Sequence, residues 1–298
     1  MWEPQDTVKT VPFHSFNRSS LIIQAKIAAS MKRLTNVEYW EGSVWKKQRP
    51  RRLILYRDYD FELVRLLRRI TPGRNPRVLE VGAGGSLILP YLAKHEGFRA
   101  TGIDYSFGGC RLVAENFHMQ GTGGGIVCDD FLQTSIQSGQ FDLVYSLGLI
   151  EHFDDLQSVV QIHLNYVRPG GMLLLVSPNL QGVYGKSLRR LAPLLLARHR
   201  VFGPAELSEA FHHAGIEAVK TGYLGSFYFS LGTDSDWAYL RNWPGPLRSL
   251  VYYAARAANS SISLAFRVSP WHLHSRAFST GFYAYGRRPE NASNQTLP

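Results

Sequence analysis

The sequence predicts an α/β fold built on a mostly parallel sheet with helices on both faces. Three observations carry this. From Arg77 onward, short apolar runs alternate with stretches of helical spacing. These runs lack polar alternation, so both faces of the strands should be covered. The first of them, VLEV, leads straight into the glycine-rich turn GAGGS, Gly82 to Ser86. A chain of 298 residues, 45% of them hydrophobic, can bury such a core without disulfides or structural metal.

The elements follow in order. Residues 17–35 have helical spacing, with Leu21, Ala25, Ala28 and Leu34 among the apolar positions. The aromatic, basic segment VEYWEGSVWKKQRP has no clear period. Residues 51–70 read as an amphipathic helix stopped by Thr71-Pro72-Gly73. Strands are expected at 78–81, 98–104, 125–130, 141–147 and 172–179, the last being the most apolar. Helices are expected at 86–95, 107–119 and near 155–167 between them. A helix at 204–215, a strand at 217–223 and a final strand at 280–288 complete the pattern. Two insertions interrupt it, at 180–203 and 224–277; long insertions at a sheet edge commonly build the substrate side. The expected organisation is a helical lid over 1–75, a core over 76–223, a cap over 224–278, a last core strand over 279–288 and a polar tail over 289–298.

Composition narrows the setting. The two cysteines, Cys110 and Cys128, form no CxxC pair, which fits a reducing compartment and argues against a zinc knuckle. The opening MWEPQDTVKT has no apolar core of a signal peptide. No run reaches the ~18 apolar residues of a membrane span. A cytoplasmic protein, with peripheral membrane contact open, is therefore expected. The formal charge is +10. Acids are absent from Trp237 to Pro289, where Arg241, Arg248, Arg256, Arg267 and Arg276 fall. A second acid-free patch is GKSLRRLAPLLLARHR, Gly185 to Arg200, and a third basic group is Lys46 to Arg52. Such patches suit an anionic partner or a solvated basic face.

The glycine turn has no lysine for a Walker loop, and Leu87 stands where a dinucleotide fingerprint needs its third glycine. Glu80 sits two residues before Gly82 and would repel a pyrophosphate at the helix N-terminus. It would suit an amino-bearing, cationic ligand, or order the loop. Asp104 ends the next strand about twenty residues beyond the turn, where an acid commonly takes ribose hydroxyls. Asp129-Asp130-Phe131 ends the third, where a carboxylate and a backbone N–H can read an adenine edge. The site thus calls for adenosine and a cationic amino group without phosphate, which is S-adenosylmethionine.

On these residues the chain resembles the class I S-adenosylmethionine-dependent methyltransferases. VLEVGAGGS is similar to the family's first motif, GIDYS (102–106) to its ribose-binding acid and CDDF (128–131) to its adenine motif. FDLVYSLGLIEHF (141–153) resembles the strand and loop beside the methionine part, and VRPGGMLLLVSPN (167–179) the fifth strand. The resemblance covers Arg77 to Asn179. It implies a Rossmann-like doubly wound seven-stranded sheet whose last strand, TGFYAYGRR, is antiparallel. It also implies a cofactor site of Glu80, Gly82, Ala83, Gly84, Asp104, Tyr105, Asp130, Phe131, Ser146 and Leu147, with Asp130 favoured over Asp129.

Methyl transfer from a sulfonium is an in-line displacement that positioning and water exclusion can largely drive. A hydroxyl acceptor also needs a base. His152, just past the fourth strand, is the first candidate and His199 the second, while His212 and His213 read as structural. Some quinone-ring O-methyltransferases of the family use a similar Glu-His segment with a divalent ion. Here Asp154 or Asp155 reads equally as a helix cap, and no metal is expected. Tyr39, Trp40 and Trp45 could form a lid, and Tyr223, Phe227 and Tyr228, with Phe229 and Trp237, an acceptor wall. A small-molecule acceptor (secondary metabolite, sugar or quinone) is expected. The alternative is a membrane lipid or prenylated quinone reached from an anionic bilayer through 185–200 and 241–267. Nucleic acid is disfavoured because Ser146-Leu147-Gly148-Leu149 replaces the amino-methylating motif after the fourth strand. A scaffold that binds the cofactor without turnover is the non-enzymatic alternative.

Overall fold

The computed structural model describes residues 31–227, 243–269 and 274–290. Seven strands form one sheet: β1 (Arg77–Val81), β2 (Arg99–Asp104), β3 (Gly125–Cys128), β4 (Phe141–Leu147), β5 (Val167–Pro178), β6 (Glu217–Leu224) and β7 (Gly281–Arg287). Their order is β3-β2-β1-β4-β5-β7-β6. β1 to β5 pair in parallel, and β7 runs antiparallel to both β5 and β6. The expected α/β, doubly wound seven-stranded sheet with an antiparallel last strand is therefore present. Its order reverses between β1 and β4, so a crevice opens at their carboxyl ends.

The central strands β1, β4 and β5 are buried on both faces, as their continuous apolar runs require, while the edge strands β3 and β6 are more exposed. Leu143 and Tyr145 of β4 face α1 (Asp58–Ile70), α2 (Ile88–His95) and α3 (Phe107–Gln120). Val144 faces the opposite way, with α4 (Leu156–Tyr166) and α7 (Pro204–His213) covering that side. The region 180–203 contributes the short helices α5 (Val183–Leu191) and α6 (Pro193–Leu196). The region before β7 contributes the long α8 (Gly245–Val268).

Local chemistry sets the helix ends. Asp58 and Asp60 occupy the first turn of α1, and Arg68 and Arg69 its last, as the helix dipole favours. Asp155 caps α4 by accepting from Ser158 N (3.1 Å), and Gly121 ends α3 in the left-handed region (φ 70°). The helix expected over 51–70 starts only at Asp58. Residues 51–57 are instead drawn off: Arg51 N–H donates to Asn116 Oδ1 (3.0 Å), and Leu53 and Leu55 pack against the core. Likewise 31–35, the end of the stretch expected as helical, is not helical, and Arg33 pairs with Phe153 in an isolated antiparallel bridge. The remainder of that stretch, 17–30, and the tail from 291 lie outside the described residues. Among the described residues, no helix is long and apolar enough to cross a membrane.

Candidate functional site

The site begins with the turn after β1. Gly82 and Gly85 have φ of 74° and 64°, values that disfavour any other residue. Gly82 and Ala83 donate N–H bonds to Ile103 O of β2 (2.9 and 3.0 Å), which folds the turn over the sheet edge. Gly84 N–H donates to Asp104 Oδ2 (2.9 Å), while Asp104 Oδ1 accepts from Ser106 N–H (2.8 Å). Both oxygens of Asp104 are thereby aimed, and each keeps a lone pair for a ligand hydroxyl. Burial raises the Asp104 pKa, against the two backbone bonds that lower it.

Glu80 lies beneath the turn and is buried. Its Oε2 accepts from Ser86 Oγ and Tyr145 OH, both at 2.7 Å. Ser86 Oγ in turn accepts from Leu89 N–H (3.2 Å), so one carboxyl group ties β1, β4 and the start of α2 together. Burial outweighs these hydrogen bonds and pushes Glu80 up to about 7. Of the two roles open to Glu80, the geometry fits loop ordering.

The N-terminal segment closes the crevice from above. Lys32 N–H donates to Asp154 Oδ1 (2.8 Å), and Leu34 N–H to His152 O (2.8 Å). The chain then coils through Val37–Tyr39, a π turn at Trp40–Val44 and a 3-10 turn at Trp45–Lys47. Glu41 Oε1 accepts from Ser106 Oγ (2.8 Å) and Gly108 N–H (2.9 Å), binding this segment to the N-terminus of α3. The Trp45 ring lies over the glycine turn: a Cβ added at Gly84 or Gly85 would come within 2.8 Å of it. Trp40 stacks on Trp45 (5.8 Å, 21°) and meets His152 edge-on (5.2 Å).

The cavity so enclosed is lined by many of the expected residues: Gly82, Gly84, Asp104, Tyr105, Phe131, Leu147, Trp40, Trp45 and His152. Ala83 and Ser146 lie behind its wall, fully buried. Asp130, the favoured adenine acid, does not line it. Its Oδ1 takes Arg33 and Leu132 N–H, while Asp129 faces the cavity. The Arg33 guanidinium also sits over the Tyr105 ring (4.8 Å). Tyr39 is one layer out, stacked under Arg198 (4.3 Å). Tyr223 and Phe227 do not line the cavity. Tyr223 belongs to β6, the edge strand beyond β5 and β7, whose end is out of reach of the β1–β4 crevice, and it packs against the core. Tyr228, Phe229 and Trp237 lie outside the described residues. No described residue of α8 lines the cavity either.

Sequence reasoning missed Arg33, Thr35, Leu149 and Phe153 of this lining, and the Glu41 tie. Gly148, also missed, carries a signal in its residue type, since its φ of 64° marks the turn that brings Leu149 over Gly82.

His199 stacks against His152 with ring centroids 4.5 Å apart. His152 Nδ1 contacts Arg198 O (3.0 Å) and His199 Nδ1 contacts Leu195 O (2.8 Å). A carbonyl can only accept, so each Nδ1 carries the proton and each Nε2 presents a lone pair. Burial, with His199 nearby, lowers His152 to about 4, and burial also lowers His199. Glu151, buried and receiving Ser177 Oγ (3.2 Å), is pushed by burial up to about 8. The ligand atoms of Glu151, His152 and His199 lie within 4.8 Å of one another. Neither aspartate of EHFDD joins them: Asp154 holds Lys32 and Asp155 caps α4.

A glycine turn, a carboxylate with lone pairs open to hydroxyls, aromatic walls and a lining arginine, Arg33, that is paired with Asp130 suit S-adenosylmethionine. The residues fit that cofactor: Asp104 lines the cavity, and the buried Trp45 Nε1 and Ser146 Oγ have no partner among the described residues. The match to the methyltransferase-domain family spans residues 46–221, and the chain belongs to that family. It is an S-adenosylmethionine-dependent methyltransferase. It is similar to the ubiquinone biosynthesis O-methyltransferase of Marinobacter nauticus, 30% identical over 186 residues, which cover 55% of this chain and 75% of that one. The Escherichia coli K12 enzyme of the same description is 31% identical over 112 residues, 36% of this chain and 44% of that one. The chain thus spans less than half the length of the latter relative. Among solved structures, the fold is like that of phosphoethanolamine N-methyltransferase 2 from Haemonchus contortus bound to S-adenosylmethionine. There the TM-score is 0.57 with 12% identity, over 86% of this chain and 60% of that one. A methyltransferase from Thermotoga maritima matches with a TM-score of 0.52 and 14% identity, over 78% of this chain and 91% of that one.

Proposed function

We propose that the chain methylates a hydroxyl oxygen of a small molecule, with His152 accepting the hydroxyl proton. One observation carries this reading: His152 lines the cavity with Nδ1 held by Arg198 O, so Nε2 is left as the acceptor. Its lowered pKa keeps it neutral, and so able to accept, at neutral pH. His199 and Glu151 stand beside it to spread the charge that develops. S-adenosylmethionine, when bound, supplies an electrophilic methyl on a sulfonium. Gly82, Ala83 and Gly84 offer it backbone atoms, Asp104 takes the ribose hydroxyls, and Tyr105 and Phe131 flank the base. Asp129 or Asp130 reads the adenine amino group, and Ser146 and Leu147 meet the methionine end. Glu80 acts through the turn that it orders. The described part of residues 1–75 before α1 serves as the lid, with Trp40 and Trp45 excluding water and Tyr39 backing them. Residues 76–223 with 279–288 are the core, and α8 belongs to an outer cap. The relatives named for ubiquinone biosynthesis O-methylation support oxygen as the atom and a quinone-like ring as the acceptor.

A second reading rests on the Glu151, His152 and His199 group. Two imidazoles with Nε2 free and one carboxyl group within 4.8 Å could hold a divalent cation that lowers the hydroxyl pKa instead. One experiment separates the two. Labelled S-adenosylmethionine is incubated with phenols, hydroxylated quinones, sugars and amines, with and without a chelator. The expected label is in an ether. His152→Gln should lose ~10²–10⁴ in kcat with unchanged affinity for S-adenosylhomocysteine. Label on nitrogen or carbon, or wild-type kcat in His152→Gln, would sink the proposal. Chelator loss reversed by magnesium would favour the second reading.

A further inference from the structure

The helix α8 is apolar on the face that it turns to solvent as well as on the face that it turns to the core. It has 24 residues, about 36 Å at 1.5 Å per residue. Its buried residues are polar, Asn259 and Ser263. Ser263 Oγ donates to Asp58 Oδ1 (2.6 Å) and accepts from Asp58 N–H (3.0 Å), tying α8 to the start of α1. Arg267 adds its guanidinium over the Phe61 ring (3.7 Å). Val251, Ile262 and Phe266 are half-buried on the same side, and the outward face is apolar as well. Leu247, Leu250, Ala254, Ala257, Ser261, Leu264 and Val268 recur at three- and four-residue spacing, so they share one face, and all are exposed. Leu250 and Tyr253 are 64% and 65% exposed, and Val268 72%. Trp243 is exposed just before the helix. An ordinary surface helix keeps its solvent face polar.

We propose that this face docks on an anionic lipid bilayer, with α8 lying in the plane of the headgroups. The charge around the stripe selects that occupant. Every charged side chain of α8 is an arginine (Arg248, Arg256 and Arg267), and the sequence has no acid from Trp237 to Pro289. A second copy of the chain would bring the same arginines together with no carboxylate from either helix. The alanines and serine at the centre of the stripe would also give a helix pair little side chain to bury. A nucleic acid would meet leucines and a valine where it needs donors or stacking rings. A bilayer meets both features: the leucines and Val268 enter the acyl boundary, Trp243 and Tyr253 sit at headgroup level, and the exposed Arg256 beside the stripe reaches lipid phosphates. No described helix is apolar enough to span, so the contact is peripheral. It does not depend on which acceptor atom is methylated, though it would let the enzyme draw on an acceptor dissolved in the bilayer.

The test uses the full chain and sedimenting vesicles of phosphatidylcholine, alone or with about 30% phosphatidylglycerol, at low and high salt. Binding is expected to the anionic vesicles at low salt and to weaken as salt rises. The double variant Leu250→Glu, Leu264→Glu should bind at least about tenfold more weakly. Its circular dichroism and its affinity for S-adenosylhomocysteine should match wild type, because both positions are exposed and remote from the cavity. Arg256→Glu should lose anionic selectivity while keeping the same fold signals. No binding to anionic vesicles at low salt, or equal binding by the double variant, overturns the proposal. So does a vesicle-free dimer that the double variant dissociates, or RNA that displaces the chain from vesicles by occupying the same leucines.

Discussion

Replacing Gly84 with alanine tests the cofactor cradle at its tightest point. A Cβ there would lie 2.8 Å from Asp104 Oδ2, 3.1 Å from Asp104 Cγ and 2.8 Å from Trp45 Cζ2. Ordinary contacts start near 3.4 Å, so about 0.5 Å must be found. Trp45 can yield by turning, since it belongs to the closing segment. Asp104 cannot yield as freely, because Ser106 N–H and Gly84 N–H hold both of its oxygens. The methyl group should therefore push the ribose acid off its aim and lift the tryptophan from the turn. Overpacking of this kind costs about 1–3 kcal/mol. Expressed as lost affinity, that is about 5- to 150-fold. Calorimetric titration with S-adenosylhomocysteine measures it, with a thermal melt as the folding control. Gly123→Ala is the matched control, since a Cβ there meets nothing within 4 Å. If Gly84→Ala binds like wild type while remaining folded, the turn does not cradle the cofactor and the site assignment falls.

Other outcomes follow from the same geometry. Asp104→Ala should abolish measurable titration by S-adenosylhomocysteine, with no gain in NAD binding. Glu41→Ala removes the acceptor of Ser106 Oγ and Gly108 N–H at the start of α3, and should cost about 1 kcal/mol in urea unfolding. His163 is fully buried, donates Nδ1–H to Val159 O (2.7 Å) and is lowered by burial to about 4. The unfolded chain therefore binds this proton first as pH falls. Stability should drop between pH about 6.5 and 4 by at most about 3 kcal/mol from this residue. His163→Phe should flatten that part of the profile in melts taken across the range; an unchanged slope would assign the acid sensitivity elsewhere.

The sheet was legible because its strands are unbroken apolar runs ending at glycines and acids whose spacing only one sheet edge satisfies. Asp104 and Gly84 could be placed together from sequence since they close the ends of adjacent strands, with one helix between. What could not be read depends on long-range packing. Arg33 finds Asp130 across 97 positions, which leaves Asp129 toward the cavity. His199 reaches His152 only because the insertion after β5 folds back, through Arg200 N–H to Glu151 O (2.7 Å). The place of β6 at the edge has no local signature, so Tyr223 looked nearer the crevice than it lies. The start of α1 was hidden for a similar reason. Leu53 and Leu55 serve the core from an extended chain, and spacing alone cannot tell that from a helix.

The roof of the cofactor cavity is not part of the sheet. It is a strap fixed at Lys32 and Leu34 to the loop after β4 and at Glu41 to α3. Both anchors touch the elements that carry the cofactor residues, so strap and cofactor share one set of supports. If the cofactor exchanges only when the strap lets go, the strap's dwell time sets an upper limit on turnover. A protease that cuts between the two anchors should act slowly on the liganded enzyme and quickly on the free one, turning product release into a digestion rate.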